Sequence, residues 1–145
     1  MAQVEKSVLV LHSAQQMFDL VDGVENYPQF LPWCGGTDLK WRDETTTLAT
    51  IMIDYHGIKQ SFTTENTNQI PALIEIKLQD GPFRHLEGSW RFIALNENAC
   101  KIEFRLHYEF SSKLLESLFG PVFNHITNNF VDAFVQRAEK VYGPS

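Results

Sequence analysis

The hydrophobic periodicity of this chain changes near residue 111, from a period of two to a period of three to four. From residue 100 to residue 110, every second side chain is apolar or a cysteine, and the side chains between are charged or histidine. After Ser111, apolar residues recur at three- and four-residue steps almost to the end of the chain. The first pattern is typical of a strand with one buried face, and the second of an amphipathic helix. A helix of about 30 residues would be about 45 Å long.

The residues before this change predict a series of strands separated by turns. Apolar side chains stand at every second position in the segments Ala49 to Tyr55 and Ile74 to Leu78, and Trp90, Phe92 and Ala94 share one face of a further strand. His56-Gly57 and Asp80-Gly81-Pro82 are typical turn sequences between such strands. We therefore expect neighbouring strands in this part of the chain to pair in antiparallel fashion.

The first third of the chain predicts one strand and two short helices. Val4 to Leu11 is rich in β-branched and apolar residues, as in a strand, and Ser13 stands at the N-cap position of a short helix. Asn26-Tyr27-Pro28 breaks that helix, and a second helical turn is expected around Gln29 to Leu31. In the long C-terminal helix, Pro121 predicts a kink or a restart, because proline lacks a backbone donor.

These elements together predict an α+β fold with a single domain spanning residues 1–145. A long amphipathic helix that follows six or seven antiparallel strands can bury its apolar side against a curved sheet. We expect the sheet to wrap around the C-terminal helix, and the length is sufficient for one substantial core. With 12% aromatic residues, among them 11 Phe, that core is expected to be large and apolar.

Catalytic and metal-binding motifs are missing from the sequence. There is no GxSxG, P-loop or GxGxxG motif, and Cys34 and Cys100 are too far apart for a zinc or redox pair. No two histidines have metal-ligand spacing on one predicted element; they are His12, His56, His85, His107 and His125. The sequence therefore predicts a protein that is not an enzyme and needs neither a metal nor a cofactor.

Charge and hydropathy limit the location and the partners of the chain. Eighteen acidic and 12 basic residues give a net charge of −6, which argues against a DNA-binding surface. No apolar run is long enough for a transmembrane segment, and the N-terminus lacks the features of a secretory signal. Together with two isolated cysteines, these observations predict a soluble cytoplasmic protein.

Aromatic side chains are concentrated in two irregular segments, Tyr27 to Trp33 and the turn that contains Phe83. An exposed Phe forgoes about 1.5–3 kcal/mol of burial, so these side chains must cover something. They are either plugs at the end of the core or the mouth of an apolar space between sheet and helix. The second interpretation predicts a ligand site, since such sites are apolar concavities with few polar groups.

Several segments, in this order and at these spacings, carry a resemblance to one known family. The segments are Tyr27–Cys34, Asp80–Phe83, Leu86–Phe92, Ile102–Phe104, Tyr108–Phe110, Ala133–Ala138 and Val141–Tyr142. They resemble the START-like coenzyme Q-binding family, also labelled polyketide cyclase/dehydrase, over essentially the whole chain. The resemblance implies the helix-grip fold and a cavity for ubiquinone or another prenyl lipid, bound in support of respiration. A ligand of that kind suggests peripheral attachment at the inner membrane as an alternative location.

The ligand site that this resemblance implies lies between the concave face of the sheet and the C-terminal helix. Tyr108, Tyr55 or Trp90 would donate a hydrogen bond to the quinone head, and the sequence does not choose among them. The expected ligand-binding residues are Tyr27, Phe30, Leu31, Trp33, Tyr55, Phe83, Trp90, Phe92, Phe104, Leu106, Tyr108, Val122, Ile126 and Phe130.

The family also offers two other functions. Its ribosome association toxins imply binding to the large ribosomal subunit, a block of subunit association, and an antitoxin as a further candidate partner. Phosphate contacts of that kind call for a basic patch, which Lys40, Arg42, Lys59 and Arg84 would have to form. The cyclase label implies an enzyme, for which the residues provide no support. Hydrophobic-ligand binding is the first hypothesis and the ribosomal role the alternative.

Overall fold

The fold contains seven strands, two α-helices and one 3-10 helix. The computed structural model describes residues 2–143. Its elements in chain order are β1 (Ala2–Val10), α1 (Ala14–Asp22), a 3-10 helix (Val24–Gln29), β2 (Cys34–Arg42), β3 (Thr46–Tyr55), β4 (Ile58–Gln69), β5 (Leu73–Asp80), β6 (Phe83–Asn96), β7 (Ala99–Phe110) and α2 (Lys113–Tyr142).

All seven strands form one antiparallel sheet in the order β1-β7-β6-β5-β4-β3-β2. Every neighbouring pair except β1 and β7 is consecutive in the chain, so the sheet is a meander with the first strand added beside the last. Register shifts interrupt the pairing at several points, for example between Leu39 and Trp41 and between Thr63 and Thr64. Such irregularities increase bending and twist, which lets the sheet curve around α2. The predicted helix-grip fold is confirmed.

Helix α1 begins at the N-cap that the sequence predicts. The Ser13 hydroxyl accepts a hydrogen bond from the Gln16 backbone N–H at 3.0 Å, and the Gln16 side chain accepts one from the Ser13 N–H at 2.9 Å. These two bonds form a capping box, which satisfies donors that the first helical turn leaves free. The cap fixes the helix so that Met17 and Phe18 are buried against the sheet.

The second short helix lies earlier than predicted, at Val24–Gln29 and not around Gln29 to Leu31. Asn26-Tyr27-Pro28 was expected from the sequence to interrupt helical structure, but Pro28 lies inside this helix. The φ of proline matches that of a 3-10 helix, and this six-residue helix can do without one backbone donor. The helix is closed by the Tyr27 carbonyl, which accepts from the N–H groups of Phe30 and Leu31.

Helix α2 runs through Pro121 as one element of 30 residues, so the predicted restart is not observed. Its buried residues lie between Gly120 and Ala138. Leu118 and Val141, which the periodicity places on the apolar side, are 52% and 48% exposed. They lie outside the buried middle of the helix, where helical periodicity alone does not ensure a neighbour to pack against.

The centre of the core is a group of aromatic rings between the sheet and α2. The Trp90 ring centroid lies 4.6 Å from that of Phe104 on the neighbouring strand. From α2, the rings of Phe130 and Phe134 approach Trp90 at 5.6 and 5.3 Å. These rings join helix and sheet over the middle of α2.

Candidate ligand cavity

An apolar cavity of about 70 Å³ lies between the concave face of the sheet and α2. Seven of the predicted ligand-binding residues line it: Tyr27, Trp33, Trp90, Phe104, Leu106, Ile126 and Phe130. The volume is enough for several water molecules or a short aliphatic segment. It is well below the roughly 300 Å³ at which typical ligand pockets begin.

The other predicted ligand-binding residues lie elsewhere. Phe30 and Tyr55 line a groove outside the cavity. Phe83 and Val122 belong to a neighbouring apolar cluster at one end of the core. The side chains of Leu31, Phe92 and Tyr108 are buried but are not among those that line the cavity.

None of the other eleven residues that line the cavity was singled out from the sequence as a ligand-binding residue. Those residues are Val21, Val24, Ile51, Ile53, Phe62, Thr64, Asn66, Ile76, Leu86, Phe123 and Thr127. The alternation in β3 and β5 was a usable signal for Ile51, Ile53 and Ile76, because it marks the buried face of each strand. Thr64 and Asn66 had no such signal, since β4 has little apolar alternation.

One corner of the concave face is polar. The oxygens Thr47 Oγ1, Asn66 Oδ1 and Asn68 Oδ1 are buried and have no hydrogen-bond partner among the described residues. Thr47 and Asn66 are opposite each other in the β3–β4 pairing, and Asn68 donates through Nδ2 to Asp22 Oδ1 at 3.1 Å. An unsatisfied buried acceptor costs about 1–3 kcal/mol, so this corner suits a water molecule or a ligand hydroxyl.

A groove of about 500 Å³ runs along the outside of α2, next to the loop that precedes β2. Trp33 and Ile126 line both this groove and the internal cavity, so they form the partition between the two spaces. Arg137 donates to Gln29 Oε1 at 3.0 Å, and its guanidinium lies 5.0 Å from the centre of the Phe30 ring. These contacts hold the loop against the helix on the solvent side of the partition.

Phe83 does not lie at this opening, although it was predicted at the mouth together with Trp33. It is the first residue of β6 and is 6% exposed. Its ring lies 4.9 Å from the ring of Phe110 and 4.9 Å from the ring of Phe123. The turn was expected to continue from Gly81 through Phe83 to His85, whereas β6 already begins at Phe83, which places its ring in the core.

The four basic residues predicted to face a ribosome are not brought together. Lys40 and Arg42 lie toward the β2–β3 turn, whereas Lys59 and Arg84 lie near the β3–β4 and β5–β6 turns at the opposite end of the sheet. Three of the four are in ion pairs: Lys40 with Asp38 at 2.6 Å, Arg42 with Glu25 at 2.8 Å and Arg84 with Glu109 at 2.9 Å. A continuous basic patch made of these four residues is therefore absent.

The electrostatics of the interior favour neutral groups. Burial raises the pKa of the Tyr27 hydroxyl, of the Cys34 thiol and of the Cys100 thiol, the last to about 11. Such groups stay protonated near neutral pH and are poor nucleophiles. Within residues 2–143, no cluster of three or more His, Cys, Asp or Glu side chains is placed to hold a metal ion. No helix in the same range is both long enough and apolar enough to span a membrane.

The sequence from residue 10 to residue 135 matches a family model described as polyketide cyclase / dehydrase and lipid transport. This chain belongs to that family. A relative with high identity is the ribosome association toxin RatA of Vibrio cholerae, which is 47% identical over 99% of both chains. RatA of Escherichia coli K12 is 42% identical over 98% of this chain and 90% of its own length.

More distant relatives and structural neighbours have other names. The mitochondrial coenzyme Q-binding protein of Drosophila melanogaster is 27% identical over 96% of this chain, which spans 59% of that protein. Among solved structures, a START superfamily protein from Mycobacterium smegmatis has a TM-score of 0.76 at 21% identity, covering 96% of this chain and 98% of its own. The Zhui aromatase/cyclase of a Streptomyces species has a TM-score of 0.78 at 17% identity, covering 99% of each chain. At these identities the two structures establish the fold alone.

Proposed function

We propose that this chain is a ribosome-associating toxin built on the helix-grip fold. The observation that carries the proposal is the 47% identity to RatA of Vibrio cholerae across 99% of both chains. The identity to the coenzyme Q-binding protein is 27%, so the comparisons favour the ribosomal alternative over quinone binding as the main function. The proposal places the chain in the cytoplasm, where the ribosomes are.

In its finer form, the proposal is that the chain binds the large ribosomal subunit and blocks subunit association. Cosedimentation with purified large and small subunits tests the first part, with binding expected to the large subunit alone. Mixing the two subunits with and without the protein tests the second, with a smaller 70S peak expected in its presence. Binding to neither subunit would refute the proposal.

Salt dependence tests how such a contact is made. A contact through rRNA phosphates weakens steeply as salt rises, because each neutralised phosphate releases counterions. The net charge of −6 and the separated basic residues support a contact with few phosphates, and hence a shallow salt dependence. Reversing Lys40 and Lys59 to Glu should therefore reduce cosedimentation modestly. Arg42 is unsuitable for this test, because its guanidinium also donates hydrogen bonds to Glu25 in the 3-10 helix.

A second candidate function, binding of a prenyl lipid such as ubiquinone, is supported by the apolar cavity. About 70 Å³ accommodates the tip of an isoprenoid chain, and a longer segment would need the partition of Trp33 and Ile126 to move aside. Mass spectrometry of lipids extracted from natively purified protein tests this candidate. A quinone or another prenyl lipid near stoichiometric amount is the expected result, and its consistent absence would count against the candidate.

We propose no catalytic activity for the chain. The cyclase in the comparison shares the fold at 17% identity, and the ionisable groups that burial affects most are the neutral tyrosine and cysteine side chains described above. An antitoxin partner remains a prediction from the family. Affinity purification of the tagged chain from its own cells, followed by identification of stoichiometric partners, tests it.

A further inference from the structure

The groove outside α2 is lined largely by one stripe of the helix. The stripe follows helical spacing of three and four residues, and it consists of His125, Asn129, Asp132, Gln136 and Lys140. Arg137 and Ala133 extend it toward the loop before β2, whose Gln29, Phe30, Pro32 and Trp33 form the facing wall. The groove therefore has polar and charged groups along the helix and apolar groups toward the loop.

The charge in the groove is opposite to that of the whole chain. Arg137 and Lys140 are cationic and Asp132 is the one carboxylate in the lining, whereas the chain as a whole carries −6. Arg137 donates to the neutral amide of Gln29. Among residues 2–143, no carboxylate oxygen lies within 4.0 Å of the charged nitrogens of Arg137 or Lys140. Within the part of the chain that the structure describes, these two cations thus have no ion-pair partner.

The groove is also adjacent to the internal cavity. Trp33 and Ile126 belong to the lining of both spaces, so a molecule lying in the groove reaches the cavity by passing these two side chains. Beyond them the lining is mostly apolar and includes Trp90, Phe104 and Phe130. A polar, positively charged outer site therefore leads directly to an apolar inner one.

We infer that this site binds an anionic amphiphile: its carboxylate or phosphate head lies in the groove against Arg137 and Lys140, and its apolar tail passes Trp33 and Ile126 into the cavity. The inference rests on the proposed binding of a hydrophobic ligand and specifies its class. A guanidinium recognises carboxylate and phosphate through paired hydrogen bonds, which are stronger than those to a neutral head. The uncharged head of a quinone would make no such ion pair.

Dodecanoate and dodecanol test the inference, because they share a 12-carbon chain and differ in the charge of the head. We expect the unmodified protein to bind dodecanoate at least tenfold more tightly than dodecanol by titration calorimetry at neutral pH. Arg137→Gln should remove most of this difference, because it should lower the affinity for dodecanoate far more than the affinity for dodecanol. Lys140→Gln should remove a smaller part, and Arg105→Gln, which changes an exposed arginine on β7 outside the groove, should change neither affinity.

Each alternative result has a distinct meaning. Equal affinities for the two probes, or a preference for dodecanoate that survives both groove substitutions, would overturn the anionic head site and leave lipid binding intact. Binding of acetate alone as tightly as dodecanoate would overturn it too, because the tail would then contribute nothing. If neither long-chain probe binds, the proposed hydrophobic-ligand function fails together with the inference. Melting temperatures of the variants, measured in parallel, confirm that each one is folded.

Discussion

The rings of Trp33 and Phe130 pack with their centroids 5.9 Å apart and their planes tilted by 45°. Trp33 lies just before β2 and Phe130 lies in the middle of α2, so this contact ties the loop to the helix. Trp33 is 8% exposed, although the apolar cavity lies on one side of it and the outer groove on the other. It is therefore both a packed side chain and a partition between the two spaces.

Trp33→Ala should lower the free energy of unfolding less than Phe104→Ala does. Truncating a buried core aromatic residue costs about 3–5 kcal/mol. Phe104 borders the cavity but is 2% exposed and packs against the rings of Trp90 and Phe130. Trp33 has space on two sides and loses fewer contacts. Phe83→Ala should resemble Phe104→Ala, contrary to the prediction from sequence that Phe83 lies at the mouth. Urea denaturation measures the free energy of unfolding of all three variants. Equal losses of this free energy for Trp33→Ala and Phe104→Ala would show that Trp33 is a core residue and not a partition between two spaces.

Ile126→Asp should lower the melting temperature strongly, whereas His125→Asp should change it little. The Ile126 side chain is 4% exposed between helix and sheet, and an unpaired charge buried there would cost several kcal/mol. The neighbouring His125 points outward, where its ring lies parallel to that of Tyr55 at 5.9 Å. Thermal denaturation followed by circular dichroism compares the two variants. The assigned orientation of α2 would be wrong if both melted at the same temperature.

The Arg42–Glu25 pair should stabilise the 3-10 helix at neutral pH and lose this effect in acid. Arg42 donates two hydrogen bonds to the Glu25 carboxylate, at 2.8 and 3.2 Å, and one to the Asp22 carbonyl at 2.9 Å. The hydrogen bond from Arg42 lowers the pKa of Glu25. A lowered carboxyl pKa gives stability that is present above the unfolded value and is lost as pH falls through the folded value.

Because this pair is largely exposed, Arg42→Ala should cost no more than about 1 kcal/mol at pH 7. The difference from the unmodified protein should shrink as pH falls through the lowered pKa of Glu25, where the carboxylate becomes protonated. Urea denaturation across this pH range measures both effects. The matched control is Lys40→Ala, which removes a more exposed ion pair within β2 and should have a smaller effect. A difference that persists unchanged to pH 2 would argue that Arg42 acts through packing and not through the carboxylate.

Cys100 should make the fold less stable as pH rises from about 9 to 11. Its side chain is fully buried, and burial raises the pKa of the thiol to about 11. In this window the unfolded chain releases the proton while the folded chain keeps it, so the free energy of unfolding falls by up to about 1.4 kcal/mol per pH unit. Cys100→Ala should show a flatter profile, whatever its stability at pH 7. If the free energy of unfolding fell in parallel with pH for the unmodified protein and for Cys100→Ala, the raised pKa of Cys100 would not be the cause.

Local patterns in the sequence predicted most of the fold. Strand β7 and helix α2 each bury one side. The alternation in β7 and the three- to four-residue periodicity of α2 can therefore be recognised without knowing which element packs against them. Ser13 caps α1 through atoms three residues away, and His56-Gly57 forms the β3–β4 turn with φ angles of 52° and 81°. Such signals are local, and therefore one sequence is enough to predict them.

The position of each side chain relative to the cavity depends on the tertiary structure. Trp33 and Phe83 look alike in the sequence, as aromatic residues beside prolines, yet one is a partition next to a cavity and the other is packed among rings. Asn66 lines the cavity although nothing in its neighbourhood marks it as an inward-facing residue. Where the curved sheet leaves a gap beneath α2 depends on strand register, bulges and the fit of side chains from distant segments, which periodicity does not encode. The sequence by itself determined the strands, the two α-helices and most of their buried faces, and the packing between them decided where the cavity and the groove lie.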